Sequence, residues 1–132
     1  MPESKPLTSL YKKYNRLLFD NKLPNIKVRI DEGLPHRIQV GKELAYARSK
    51  NRIYFAKAAV KHDIPLMGWS KITKVILIHE MVHIYLLKAN KSSNHTKIFY
   101  RLYLEKLRQA SLKPLTSIDW FTKSAKAVLG ER

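Results

Sequence analysis

The apolar positions change period along the chain and divide it into elements. Leu10, Tyr11, Tyr14, Leu17 and Leu18 recur at three- and four-residue steps, with Lys12, Lys13 and Arg16 off the stripe. This period predicts an amphipathic helix that starts at Thr8-Ser9 and ends near Asp20-Asn21, before Leu23-Pro24. Residues 26–30 (Ile-Lys-Val-Arg-Ile) alternate apolar and basic, the period of a half-buried strand with a basic outer face. Asp31-Glu32-Gly33 is a turn, and residues 37–40 are a candidate second strand. A clearer pair follows: residues 44–48 and 52–56 flank Ser49-Lys50-Asn51, a short polar connection that suits a hairpin. Residues 58–62 are short and ambiguous, and Pro65, Gly68 and Trp69 belong to a loop.

From there the pattern is helical. Over residues 72–90 the chain has no Pro or Gly, and Ser70 can cap its start. Its apolar side chains, from Ile72 and Val75 to Leu86 and Leu87, cover nearly the whole helical circumference, so the helix is a buried one. Lys71, Lys74, His79, Glu80, His83 and Lys88 interrupt it too often for a membrane span. After a polar loop, Phe99, Leu102, Tyr103 and Leu107 restore the helical stripe from His95 onwards, with Lys97, Arg101 and Arg108 charged. Pro114 breaks that helix, and Asp119 can cap a last short one through Leu129. With no repeats, low-complexity runs or linker, residues 1–132 read as one domain. The order predicts an α+β fold: an N-terminal helix, a three- to four-stranded, mainly antiparallel sheet, the central helix, and further helices.

The chemistry sits at the centre of the buried helix. His79-Glu80-Met81-Val82-His83 reads H-E-x-x-H. On a helix, residues four apart face the same way, so both imidazoles can bind one metal ion from one side. Glu80 lies roughly one-sixth to one-quarter of a turn away. Its carboxylate is then beside the metal and can act on a water without being a ligand. Chance gives this motif in roughly one chain in a hundred of this composition. Burial lowers that rate, because an ionised Glu in a core costs several kcal/mol without a compensating charge.

A catalytic zinc usually has three protein ligands and one open position. The chain has no Cys, so the third must be His or a carboxylate. His95, Glu105 and Asp119 lie downstream. His95 is best placed, because it opens a helix after a loop able to fold back. Glu105 falls on the charged side of its helix, and Asp119 suits a cap. His36 and His62 precede the motif in the strand region and suit the surface.

Composition adds a partner. Lys and Arg outnumber Asp and Glu by 26 to 10, a formal charge of +16 on 132 residues. That favours a polyanion, most simply nucleic acid, over a merely solvated basic surface. Tyr46, Arg48, Lys50, Arg52 and Tyr54 share the hairpin, and aromatic rings among cations suit stacked, single-stranded DNA or a junction; sheet packing is the alternative use of the tyrosines. Trp69 and Trp120 suit the core as well as they suit stacking. The polar start, Met1-Pro2-Glu3-Ser4-Lys5-Pro6, leads into no apolar run, so no signal peptide is expected and the expected place is the cytoplasm, associated with DNA. No membrane partner is expected, and a monomer is.

These residues resemble the SprT-like zinc metalloproteases, the group that includes the Spartan-type proteases of DNA–protein crosslinks. The matching residues are His79-Glu80-Met81-Val82-His83 and His95-Thr96-Lys97-Ile98-Phe99. The helix over residues 10–23 and Arg52-Ile53-Tyr54-Phe55 also look like the family's opening helix and the strand ahead of its active-site helix. Thr96-Lys97 stands where the family usually has a Gly-Pro-like pair, and the absence of Cys leaves no zinc ribbon. The resemblance implies a small zincin-like domain with one zinc on His79, His83 and His95, and Glu80 as general base in peptide hydrolysis. It also implies protein substrates held at DNA. An extended substrate could add to an edge strand such as residues 52–55. Tyr85 falls on the side of the helix away from both His and is not the expected oxyanion donor. Two other functions fit the same residues: a nucleic-acid-binding module with a structural zinc and no turnover, and another zinc-dependent hydrolase.

Overall fold

In the computed structural model, residues 3–34, 45–47, 52–55, 62–63, 68–89 and 97–112 are described, with 62–63 and 68–69 as backbone only. The first helix, α1 (Lys5–Phe19), begins earlier than its apolar stripe. Ser4 is its N-cap, with Oγ accepting from the Leu7 amide at 3.3 Å, and Pro6 occupies the first turn, where its missing N–H costs nothing. Thr8 and Ser9 therefore lie inside the helix rather than at its start. Thr8 is buried, and its hydroxyl accepts from the Val28 amide and donates to Glu3 Oε2.

The helix stops at Phe19, close to the expected boundary. Asp20 and Asn21 both take left-handed φ values, 51° and 58°. Such residues reverse the chain, and Asp and Asn tolerate the conformation better than most. The chain then runs back along α1, and its backbone is satisfied by α1 side chains. Asn15 bonds both the amide and the carbonyl of Leu23 at 3.0 Å, and Tyr11 Oη donates to Pro24 O at 2.6 Å. Thr8, Tyr11 and Asn15 thus form a polar seam within a face otherwise made of Leu7, Leu10, Tyr14 and Leu18.

Three strands follow: β1 (Val28–Ile30), β2 (Ala45–Ala47) and β3 (Ile53–Phe55), in the order β1-β3-β2. The expected hairpin forms, with Ala47 opposite Ile53 and Ala45 opposite Phe55 in an antiparallel register. β1 runs parallel to β3, so the described sheet is mixed rather than mainly antiparallel. The hairpin inserts β3 between the two other strands and aligns it with β1; Asp31 N then donates to Phe55 O at 2.8 Å and extends the parallel pairing. Glu3 bridges to Arg29 on the far side of β1. Asp31 makes the expected turn, with its carboxylate accepting from the Gly33 amide and its carbonyl from the Leu34 amide. Residues 37–40 lie outside the described residues.

Alternation along the strands sorts the side chains. Val28, Ala45, Ile53 and Phe55 join the core, while Arg29, Tyr54 and Tyr46 form one cross-strand row on the opposite face. Two further short strands, β4 (His62–Asp63) and β5 (Gly68–Trp69), pair antiparallel where a loop was expected. They lead into α2 (Lys71–Lys88), with Ser70 as N-cap. The second long helix is α3 (Lys97–Gln109). Its end has the hydrogen bonds of a Schellman turn, Leu112 N to Leu107 O and Ser111 N to Arg108 O, with Ser111 at φ 57°. The chain beyond residue 112, with the expected last helix, lies outside the described residues.

α2 is the centre of the molecule. Val75, Leu77, Ile78, Met81, Val82 and Ile84 are all fully buried, as an apolar circumference requires. β2 runs against one side of it, α3 packs along another, and α1 meets it through Phe19 and Tyr85. No helix among the described residues is long and apolar enough to cross a membrane.

Candidate metal centre

His79, Glu80 and His83 lie in the middle of α2, where the backbone is continuous helix on both sides. His79 is 4 % exposed and Glu80 5 %, while His83 is half-buried. Burial of His79 and Glu80 follows in part from their helix neighbours, the core aliphatics Val75 and Val82 beside His79 and Leu77 and Ile84 beside Glu80. One edge of the set therefore opens toward solvent and the other is sealed.

The i, i+4 spacing places the two imidazoles side by side, with ring centroids 5.0 Å apart and planes at 66°. A metal 2.0–2.1 Å from one nitrogen of each ring lies about 3.2 Å from each centroid, and a tetrahedral angle then separates the centroids by about 5.2 Å. The observed spacing meets that condition. The donors are also of the right kind, two imidazoles that can be neutral near pH 7, with a carboxylate on the adjacent position. Among the described residues, no cluster of three His, Cys, Asp or Glu forms around them.

α3 supplies the wall. Phe99 and Tyr103 are one turn apart on its buried face and both are fully buried. The Phe99 ring lies 4.4 Å from the His83 ring and 5.0 Å from the His79 ring, and Tyr103 lies 5.1 Å from His79 at 82°. His95, the expected third ligand, lies outside the described residues. Phe99 brings the first turn of α3 to the imidazoles, and His95 precedes it by four residues. Tyr85 faces elsewhere, as expected, against Phe19 of α1 at 5.8 Å. Glu105 is exposed on α3 and accepts from the Gln109 side chain.

The hairpin residues expected to meet nucleic acid are placed in part. Arg48 and Lys50 lie outside the described residues, and Arg52 is exposed. Tyr46 and Tyr54 stack on each other, with centroids 4.9 Å apart and planes at 21°. Tyr54 is only 8 % exposed, and Tyr46 Oη donates to Asp31 Oδ2 at 2.6 Å. Both rings are thus engaged in sheet packing. β3 is paired on both sides, so residues 52–55 are not an edge; the outer strands of the described sheet are β1 and β2, and β2 is the one beside α2.

The contacts of Phe99 and Tyr103 with the imidazoles were not predicted from the sequence, although both residues stand on the apolar stripe of α3. The signal was their i, i+4 aromatic pairing, opposite an i, i+4 pair of histidines. A model of the SprT-like family matches residues 7–119, from the first turn of α1 to beyond α3. No curated protein and no solved structure matches the chain.

Proposed function

The chain belongs to the SprT-like family, a metalloprotease-type domain, and from that premise we infer that it is a zinc-dependent endopeptidase. The observation that carries the inference is the pair of imidazoles 5.0 Å apart, with the buried Glu80 at the adjacent position of the same helix. The H-E-x-x-H motif and the family support the same reading.

His79 and His83 would hold one zinc ion per chain, with His95 as the third ligand. Zinc held there would supply Lewis acidity toward the scissile carbonyl and would acidify a water molecule. Glu80 has the protein's part of the chemistry. A carboxylate oxygen accepts a proton from the attacking water and returns it to the leaving amine nitrogen. On the α3 side Phe99 and Tyr103 cover the imidazoles, and Glu80 is itself buried, where charge interactions are stronger than in water. An extended substrate can add to the edge of β2, whose backbone runs beside α2.

The charge of +16 supports substrates presented on DNA, including proteins crosslinked to it. Arg48, Lys50 and Arg52 are the residues proposed to meet phosphate. The tyrosine stack weakens the case for bases stacking on Tyr46 and Tyr54.

Glu80→Gln is the deciding variant. It keeps the size and hydrogen-bonding capacity of the side chain and removes the base. Cleavage of a basic, DNA-bound protein should fall at least a hundredfold, the low end of what a general base contributes. Zinc content, measured by elemental analysis, should stay at one per chain. Unchanged cleavage would remove Glu80 from the reaction. Zinc retained with no cleavage by either form points instead to a structural zinc in a binding module.

A further inference from the structure

We infer that Phe99 and Tyr103 are positioning residues: rings on α3 that fix the orientation of the His79 and His83 imidazoles for the metal. The inference rests on the zinc reading above and assigns part of that site to a second helix.

A histidine on a helix has a stiff χ1 and a broad, roughly two-fold χ2. Its ring can therefore turn, and the nitrogen lone pair turns with it. Ligation needs two lone pairs aimed at one point, so ring orientation has to be fixed by something outside the histidine. A hydrogen-bonded partner can do this, and so can close packing of rings. Here rings enclose His79 on three sides. His83 lies at 5.0 Å, Phe99 at 5.0 Å and 65°, and Tyr103 at 5.1 Å and 82°. One phenyl serves both ligands, because Phe99 also touches His83 at 4.4 Å and 37°. Phe99 is held in turn by Tyr100, at 5.7 Å and 83°, and by Tyr103, at 6.0 Å. A turn of either imidazole would drive its edge into a flat, fully buried neighbour in a close-packed core. The geometry of the set thus depends on α3.

The test uses the full chain, stripped of metal by a chelator and titrated with Co²⁺ and with Zn²⁺ against a chromophoric competitor. Phe99→Leu keeps an apolar side chain of similar bulk and removes the flat face. It should weaken both metals on the order of tenfold, in line with other residues that orient ligands. It should also change the visible Co²⁺ absorption, which reports ligand geometry. Tyr103→Leu removes the second flat face against His79 and should weaken both metals in the same direction. Leu107→Ala, on α3 but away from the imidazoles, is the control for general loosening and should leave affinity and spectrum unchanged below its melting temperature. Wild-type affinity and spectrum in Phe99→Leu would overturn the inference, and so would equal losses in Phe99→Leu and Leu107→Ala. If the wild-type chain takes up neither metal, the zinc reading fails by itself. The positioning role is then read from the metal-free chain by NMR. Ring-current shifts on the His79 and His83 ring protons that collapse in Phe99→Leu support it, and shifts that do not move overturn it.

Discussion

Tyr14 lies on the buried side of α1, and burial pushes its phenol up to about 12 from the ordinary 10. Tyr11, buried beside it, is pushed higher still by the same desolvation. The consequence is a loss of stability in alkali. Below pH 10 the folded and unfolded chains both keep the Tyr14 proton, and stability does not change. Between pH 10 and about 12 the unfolded chain releases it while the folded chain keeps it, so stability falls as pH rises. Two pH units correspond to at most about 2–3 kcal/mol from Tyr14. Tyr14→Phe should move the alkaline unfolding midpoint upward, followed by circular dichroism; an unchanged midpoint would exclude Tyr14 as a source of the loss. This residue was legible in part. Its place on an apolar stripe gave its burial, as it did for Tyr11, but nothing in the spacing showed that the Tyr11 hydroxyl would reach Pro24 O. The motif histidines were legible for the opposite reason, since i, i+4 spacing and an apolar circumference are local properties. Their ring neighbours on α3 are not, because α3 lies a loop away and its register against α2 is set by packing.

At the scale of elements, Leu23 and Pro24 are tied to helix α1 by its side chains. Asn15 is the principal tie: Nδ2 donates to Leu23 O and Oδ1 accepts from Leu23 N, both at 3.0 Å and both buried. Asn15→Ala leaves a buried amide and a buried carbonyl without the side chain that satisfies them. Each such group costs about 1–3 kcal/mol, so a loss of about 2–4 kcal/mol in urea unfolding is expected. Asn15→Asp should also destabilise. It keeps the acceptor for the amide but turns an oxygen toward the Leu23 carbonyl. Wild-type stability in both variants would show that the tie carries no weight. The helix boundaries that the sequence predicts differ from the observed ones where a side chain intervenes. α1 starts at Lys5 because Ser4 caps it and Pro6 fits its first turn, whereas the apolar stripe begins later. The parallel register of β1 with β3 was illegible for another reason. It depends on a connection of more than a dozen residues, which sequence periodicity does not orient. The β2–β3 hairpin, whose strands are close in sequence, was readable.

At the scale of the whole molecule the dominant quantity is charge. A net +16 creates a positive field, but a field does not say where a polyanion sits. Two surfaces compete. One is the β2–β3 hairpin, whose strand β2 runs against α2 and to which Arg48, Lys50 and Arg52 belong in sequence. The other is the exposed face of α1, where Lys12, Lys13 and Arg16 stand on a helix with no acidic residue. Contact with phosphate releases counterions, so affinity for single-stranded DNA should fall with salt at a log–log slope of about −0.7 per phosphate. Five contacts would weaken binding roughly a hundredfold for a fourfold rise in salt. Replacing Arg48, Lys50 and Arg52 by Ala should flatten the slope by about two units if all three touch phosphate. Replacing Lys12, Lys13 and Arg16 removes the same three charges. It should lower affinity slightly through the field and leave the slope close to its wild-type value. Equal flattening by the two triples would mean that DNA spreads over the whole basic surface. No binding at low ionic strength would remove DNA from the reading altogether. Hydrolysis by His79, Glu80, His83 and His95 would stand in either case, because its chemistry needs the helix α2 and the metal, not the surface charge.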